Sequence, residues 1–221
     1  MLLACLLMFC AIDANAQEKS VAASGGLSAG LPSGAISFQF QRDGLAVPKW
    51  GIDVYPDGKG GYWEPAAATA QNPAGKAWRT LVIGEATLQR LRAGGAKAST
   101  GDCETKARHI ANTGRKELSY MFGTALSSCV FNYSDDKGVM DTAETFQAIA
   151  ETMQAGARLA HKRRFDRLGL DAEINALGDS VKSGRAIELA NIAPVLRAIA
   201  NDPEVLERVR TKAARWLKEM Q

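Results

Sequence analysis

Apolar and polar residues alternate strictly in two segments of the N-terminal half. In residues 36–41 every second side chain is isoleucine or phenylalanine, and in residues 50–55 every second one is tryptophan, isoleucine or valine. Such alternation is typical of a strand with one buried face. Residues 56–58, Pro-Asp-Gly, carry turn chemistry, because proline presets φ and glycine accepts a positive φ. We therefore predict a β-hairpin whose returning strand contains Tyr62 and Trp63.

The segment that follows the hairpin combines one strand with one short helix. Residues 79–83 are rich in strand-forming side chains, and residues 85–92 show helical spacing of their leucines. Gly94 and Gly95 come next, and glycine commonly marks the end of a helix. The pattern predicts a helix that stops at this pair.

A second β-rich unit lies between two cysteines, Cys103 and Cys129. Its candidate strands cover residues 105–110, 116–122 and 128–133, and polar turn residues separate them. The pattern predicts an antiparallel meander.

The hydrophobic period changes from two to between three and four after residue 134. Apolar residues recur at helical spacing over 146–160, and shorter helical patterns follow over 171–181, 187–199 and 203–217. Strands therefore precede helices along the chain, which predicts an α+β fold.

The first residues have the features of a secretory signal. An apolar run covers residues 2–12, about half the length of a membrane-spanning helix. Ala-Asn-Ala follows and ends at Ala16, so we predict a signal peptide over 1–16, cleaved after Ala16. No lysine or arginine precedes the run, and a lipoprotein modified at Cys5 or a buried N-terminal helix are the alternatives. Residues 17–34 are rich in alanine, serine and glycine and are predicted to form a flexible leader.

Cleavage would leave a chain with two cysteines. An even count in an exported protein predicts one disulfide, between Cys103 and Cys129. Two buried free thiols are the alternative. The full prediction is a β-rich part over 35–134, a hairpin plus a disulfide-tied meander, packed as one unit with a helical bundle of about four helices over 135–221. Because of the predicted signal peptide we expect a periplasmic or secreted protein, and no later segment is apolar enough to cross a membrane.

The composition argues against a collagen-like chain, a coiled coil and a wholly disordered protein. The chain has 221 residues, 46% of them hydrophobic, with 27 lysines and arginines against 24 acidic residues. These values are ordinary for a globular protein, and a net charge of +3 is too small to indicate nucleic-acid binding. A calcium loop starting at Asn132 fails, because Lys137 and Ala143 occupy its required glycine and glutamate positions. We predict no cofactor, no metal and no catalytic residue.

Two groups of residues are candidate contact sites. The first is a basic cluster that could bind an anionic surface, opposed locally by Asp166 alone; its alternative is a solvated helix face. The second is a set of aromatic side chains that could stack on a sugar or a peptide if exposed; its alternative is the core of a small sheet. The basic cluster comprises Arg158, Lys162, Arg163, Arg164 and Arg167, and the aromatic set comprises Tyr55, Tyr62 and Trp63.

The chain resembles an uncharacterised family of bacterial secreted proteins of unknown function. The resemblance implies an envelope location and supplies no catalytic residue. The residues that carry it are Ile36, Phe38, Gly44, Val47, Pro48, Trp50, Ile52, Val54, Asp57, Gly58, Gly60 and Tyr62, the segment from Cys103 through 113–118 to Cys129, and the segments 149–152 and 164–171.

These observations favour a non-catalytic binding or interaction module of the cell envelope. Its partner would be an unknown protein, an envelope polymer or an anionic membrane surface, and not nucleic acid. The alternative is an exported carboxylate-dependent hydrolase whose site the sequence does not identify. Two or more carboxylates converging in a concave pocket would favour the enzyme.

Overall fold

The computed structural model describes residues 32–98, 103–107 and 109–220, with backbone only for 97 and 98. The predicted signal peptide and most of the predicted leader lie outside the described residues.

A six-stranded antiparallel sheet forms the N-terminal part of the structure. Its strand order is β4-β3-β2-β1-β5-β6, so the hairpin strands and the β5–β6 pair meet at β1. Phe38 lies opposite both Ile52 and Leu118, which places the apolar residues of three strands on one face. The strands are β1 (Ile36–Gln41), β2 (Lys49–Val54), β3 (Lys59–Pro65), β4 (Lys76–Val82), β5 (Arg115–Phe122) and β6 (Ala125–Phe131).

Helices cover one face of this sheet and continue beyond it. Four α-helices follow residue 135, as the helical period predicts, and one more lies between β4 and β5. The α+β prediction is therefore confirmed. The helices are α1 (Glu85–Ala98), α2 (Lys137–Phe165), α3 (Leu170–Lys182), α4 (Ala193–Ala200) and α5 (Glu207–Glu219), with 3₁₀ turns at Arg167–Gly169 and Leu189–Ile192.

The long helix α2 contributes to two hydrophobic cores. Its first half packs on the inner face of the sheet, where Phe146 stacks on Phe38 with ring centroids 5.1 Å apart. Its second half packs against α3, α4 and α5, through residues such as Ala155 and Leu159. The sheet therefore has one face covered by helices and an outer face turned away from them.

The predicted disulfide between Cys103 and Cys129 is present, with its sulfurs 2.06 Å apart. The predicted strand over 105–110 is wrong, because the described residues of this segment lie in a loop. The backbone of His109 has a φ of 63°, which an extended strand does not accept. The meander is thus reduced to the β5–β6 pair, and the disulfide links the loop to β6.

The predicted end of the first helix is also wrong. Helix α1 continues through Gly94 and Gly95 to Ala98. Both glycines are buried, where α1 lies close to α2 and to β5. The pair allows close packing and does not end the helix.

Candidate binding surfaces

The aromatic residues of the second candidate contact site, Tyr55, Tyr62 and Trp63, lie in different environments. Tyr62 is fully buried on the inner face, where its hydroxyl donates to Glu64 Oε1 at 2.7 Å and accepts from Gln154 Nε2 at 2.9 Å. Burial, with the neighbouring Glu64 carboxylate, raises the pKa of Tyr62. Trp63 is also buried, whereas Tyr55 keeps part of its surface exposed. Tyr62 and Trp63 therefore fit the alternative interpretation, that these aromatics are buried in a small sheet, and only Tyr55 remains an exposed candidate.

Trp78 is the tryptophan that faces solvent. It lies opposite Trp63 on the outer face, and half of its surface (50%) is exposed. Each indole covers a glycine: a Cβ on Gly61 would come within 2.7 Å of the Trp78 ring, and one on Gly51 would overlap Trp63. The glycines let both rings lie flat on the sheet. Glycine on a neighbouring strand, Gly51 for Trp63 and Gly61 for Trp78, is the sequence signal that could have predicted this arrangement.

The outer side of β4 is exposed along its length. The side chains of Trp78, Thr80 and Val82 point to the outer face, and all three residues are exposed. Beside them, Tyr55 and Thr80 line a depression of ≈ 750 Å³ with mainly apolar walls. We name Tyr55, Trp78, Thr80 and Val82 the β4 surface.

The backbone of β4 also has an unpaired edge. Residues that bond to β3 alternate with residues whose N–H and C=O point away from the sheet. Ile83 donates to Gly58 of the β3 side, whereas Val82 donates outward to the Asn191 side chain at 2.7 Å. Even-numbered residues of β4 therefore present their backbone to the outside.

The Asn191 amide binds this edge as a neighbouring strand would. Its Oδ1 accepts from Val82 N and its Nδ2 donates to Val82 O at 2.9 Å. At the other end of β4, the Lys76 amide donates to Asn72 Oδ1 at 3.3 Å. Between these ends, no described residue hydrogen-bonds to the outward N–H of Trp78 or Thr80. We name the backbone of these two residues the open edge.

A groove of ≈ 680 Å³ runs beside the open edge. One wall is β4 and the other is formed by α2, where Gly156, Ala157 and Ala160 leave space because their side chains are small. Ile192 and Val195 close the groove on the α4 side. The site thus combines backbone donors and acceptors with an adjacent apolar wall.

Charged side chains flank the β4 surface on the outer face. Lys76 Nζ lies 4.0 Å from the centroid of the Trp63 ring, where a cation is attracted to the ring. Burial raises the pKa of Asp53, and a hydrogen bond with Ser37 and the charge of Lys76 act against that shift. Burial lowers the pKa of Lys76, and Asp53 opposes it.

The basic cluster is brought together on the second half of α2 and in the following 3₁₀ turn, but nearby acids neutralise much of it. Arg158 pairs with Glu173 at 2.7 Å and with Glu151 at 2.9 Å. The interpretation that Asp166 alone opposes the cluster is therefore wrong. The remaining pairs are Lys162–Asp166 at 3.0 Å, Arg163–Asp202 at 2.9 Å and Arg167–Glu204.

Arg164 differs from the rest of the cluster. No described carboxylate lies within ion-pair distance of it, and its guanidinium lies 5.3 Å from the centroid of the exposed Phe165 ring. The sequence alone did not identify Phe165 as part of a surface.

Two carboxylates line one polar pocket of ≈ 400 Å³. Glu144 and Glu151 border it from α2, and Ser183 and Arg185 border it from the turn after α3. The glutamates are seven residues apart, or about 10 Å along the helix. Glu151 is already paired with Arg158. Across the described ranges, no three histidine, cysteine or acidic side chains group as metal ligands would.

No described helix is both long enough and apolar enough to cross a membrane. A scan against models of known protein families finds no match, and a search of curated proteins finds none either.

Proposed function

We propose that this protein is an exported, non-catalytic binding module of the cell envelope that captures an extended polypeptide segment along the open edge. The observation that carries the proposal is the outward backbone of Trp78 and Thr80, open between the contacts of Asn191 and Asn72. An added strand would bond to both residues as β3 does on the other side. Strand addition at a free sheet edge is a recurring mode of peptide recognition.

The surroundings of the open edge suit a short strand. The outward amides of Val82 and Lys76 are already bonded, so two residues of β4 are available. A partner segment of about five residues would cover them, with alternate side chains on the two faces. One set of side chains would enter the groove beside Gly156 and Ala157, and the other would lie near Trp78.

Export is supported by the disulfide and by the N-terminal sequence. Disulfides persist in oxidising compartments and are rare in the cytosol. A protein purified from the envelope fraction should begin at Gln17 and should contain no titratable thiol. Full-length protein in the cytosolic fraction with both Cys103 and Cys129 as free thiols would contradict export, and it would leave the proposed peptide binding at the open edge unaffected.

The alternative, an exported carboxylate-dependent hydrolase, rests on the pocket that holds Glu144 and Glu151. The Glu151 carboxylate is already held by Arg158 at 2.9 Å, so it is not free to contact a substrate in this pocket. The spacing of the two glutamates on one helix is set by the helix and not by a cleft. The open edge therefore supports a binding module more strongly than this pocket supports a hydrolase.

Proline at position 80 tests strand addition directly. Thr80→Pro removes one outward N–H and leaves the β3–β4 hydrogen bonds intact, because proline is tolerated where the N–H of an edge strand faces solvent. The probe is the tightest binder from a library of random heptapeptides displayed on phage. We expect its affinity to fall about fivefold, since one hydrogen bond contributes about 1 kcal/mol.

Thr80→Val is the matched control, because it changes the side chain and keeps the amide. Amide hydrogen exchange should also show protection of Trp78 and Thr80 when the peptide binds. Equal binding by Thr80→Pro, or protection confined to other strands, would contradict the proposal. Cleavage of the peptide that is lost in Glu144→Gln would favour the hydrolase.

A further inference from the structure

The end of α2 presents two large apolar side chains to solvent. Phe165 is 67% exposed and Leu168 is 82% exposed, the two highest values among the described large hydrophobic residues. They are three residues apart, one at the last position of α2 and one in the following 3₁₀ turn. An exposed pair of this size marks an interaction site more often than a scattered single residue does.

Basic side chains surround this apolar pair. Arg164 and Arg167 are exposed next to it, and Lys162 lies one turn earlier on α2. We name Lys162, Arg164, Phe165, Arg167 and Leu168 the α2 tip. A projecting apolar pair among cations is the arrangement with which proteins contact the interface of an anionic bilayer.

Two acids near the α2 tip are less exposed than the cations with which they pair. The side chain of Asp202, which pairs with Arg163, is 10% exposed, whereas that of Arg163 is 40% exposed. The same holds for Glu173 and its partner Arg158, at 11% and 41%. These two carboxylates lie behind their cations, whereas Asp166 (52% exposed) and Glu204 (65%) are more exposed than their partners Lys162 (30%) and Arg167 (46%).

The remaining ion pairs at the α2 tip can exchange for lipid phosphate. Lys162 with Asp166 and Arg167 with Glu204 are surface pairs, which are weak in water. No described carboxylate pairs with Arg164. The charge of Arg164, which no described carboxylate neutralises, therefore favours an anionic membrane over a neutral one.

From this geometry we infer that the α2 tip docks the protein on an anionic lipid bilayer, with Phe165 and Leu168 inserted at the interface and the basic residues bound to headgroup phosphates. The inference goes beyond peptide capture, because the α2 tip and the open edge are formed by different residues. It makes the protein a peripheral membrane protein that carries a peptide-binding edge.

Vesicle cosedimentation tests the inference with the full exported chain. The probe is a vesicle of phosphatidylethanolamine and phosphatidylglycerol, compared with one of phosphatidylcholine alone. We expect the protein to bind the anionic vesicle, and we expect this binding to weaken at least tenfold between 50 and 300 mM salt. Salt weakens the binding because several basic side chains contact the charged headgroups. The phosphatidylcholine vesicle should bind at least tenfold less.

Paired variants distinguish insertion of Phe165 and Leu168 from nonspecific adsorption through exposed apolar side chains. Phe165→Ser with Leu168→Ser should lower binding at least tenfold and leave the melting temperature unchanged, because both side chains are exposed. The matched control is Leu126→Ser with Val130→Ser on β6, whose residues are 47% and 44% exposed. Arg164→Glu should lower binding severalfold, and Arg90→Glu on α1 should not.

Three results would overturn the inference. The first is equal binding of the tip variant and the β6 control. The second is binding to phosphatidylcholine as strong as to the anionic vesicle. The third is a salt-independent dimer in solution that the tip variant abolishes, which would assign Phe165 and Leu168 to a second copy of this chain. Peptide binding at the open edge would be unaffected by any of them.

Discussion

Asp53 is a carboxylate in the centre of the outer sheet face, opposite Ser37 on β1 and Gly61 on β3. Burial raises its pKa above the ordinary 3.8. Between 3.8 and the raised value, the folded protein holds a proton that the unfolded chain has released. The contribution of Asp53 to the free energy of unfolding therefore falls as the pH rises through this window.

We predict that Asp53→Asn gains stability relative to the wild-type protein as the pH rises from 3.5 to 7. The asparagine carries no charge to desolvate, so the difference in Tm between variant and wild type should increase with pH. Thermal unfolding at several pH values measures this difference. Asp57→Asn is the control with the opposite sign, because its hydrogen bond with the Lys59 side chain lowers the pKa of Asp57. A difference that is constant with pH would contradict the prediction.

Exposure is the residue property that the sequence predicted least well here. Alternation correctly places Ile52 and Trp50 on one face, but it does not say which of the two faces the helices cover. Tyr62 lies opposite Ile52, so it shares the buried inner face. Trp63 lies on the outer face and is still buried, because it lies flat on Gly51 and beside Trp78.

At the scale of the element, α1 shows why a pair of glycines was misread. A Cβ on Gly94 would overlap the Thr142 side chain and come within 2.5 Å of Gly138 O on α2. A Cβ on Gly95 would come within 2.8 Å of Tyr120 on β5. Local propensity treats both glycines as helix-ending residues, whereas their role depends on elements that are distant in the sequence.

Replacement of Gly94 by alanine should therefore destabilise the protein. Helix propensity alone predicts a gain of about 1 kcal/mol for this change. The overlap with Thr142 and the Gly138 carbonyl should instead cost about 1–3 kcal/mol, as overpacked sites do. Urea unfolding measures the free energy, and Ala93→Gly at the neighbouring exposed position gives the propensity effect alone. A stabilised Gly94→Ala variant would show that α1 and α2 can separate without cost.

Elements with long, regular patterns were predicted well, and those that depend on distant pairing were not. The alternation of β1 and β2 and the helical stripe of α2 correspond to observed elements. The edge position of β4 was not predictable, because it follows from the pairing of β1 with β5 across a large sequence separation. The open edge and its groove depend on that order and on Asn191, more than a hundred residues away.

At the scale of the whole molecule, α2 and the disulfide hold distant parts of the chain together. Helix α2 has residues in both hydrophobic cores, so the sheet and the helical bundle share one element. The disulfide joins the loop after α1 to β6 across a sequence separation of 26 residues. Hydrogen bonds also attach the described residues of that loop, including Thr105 N to Tyr133 O at 2.9 Å and Asn132 N to Glu104 Oε2 at 2.6 Å.

Loss of this disulfide should lower the stability of the folded protein substantially. In the chain-entropy model, closing a loop of this length contributes about 3.5 kcal/mol, which corresponds to a Tm change of about 10 °C for a chain of this size. Thermal unfolding of wild type and of Cys103→Ser with Cys129→Ser, with and without reductant, measures the effect. The double variant avoids a reactive free thiol at Cys129, and reductant should bring the wild type down to the variant's Tm. Identical melting of both proteins under oxidising conditions would mean that the described contacts alone hold the loop, and the disulfide would then have no role in stability.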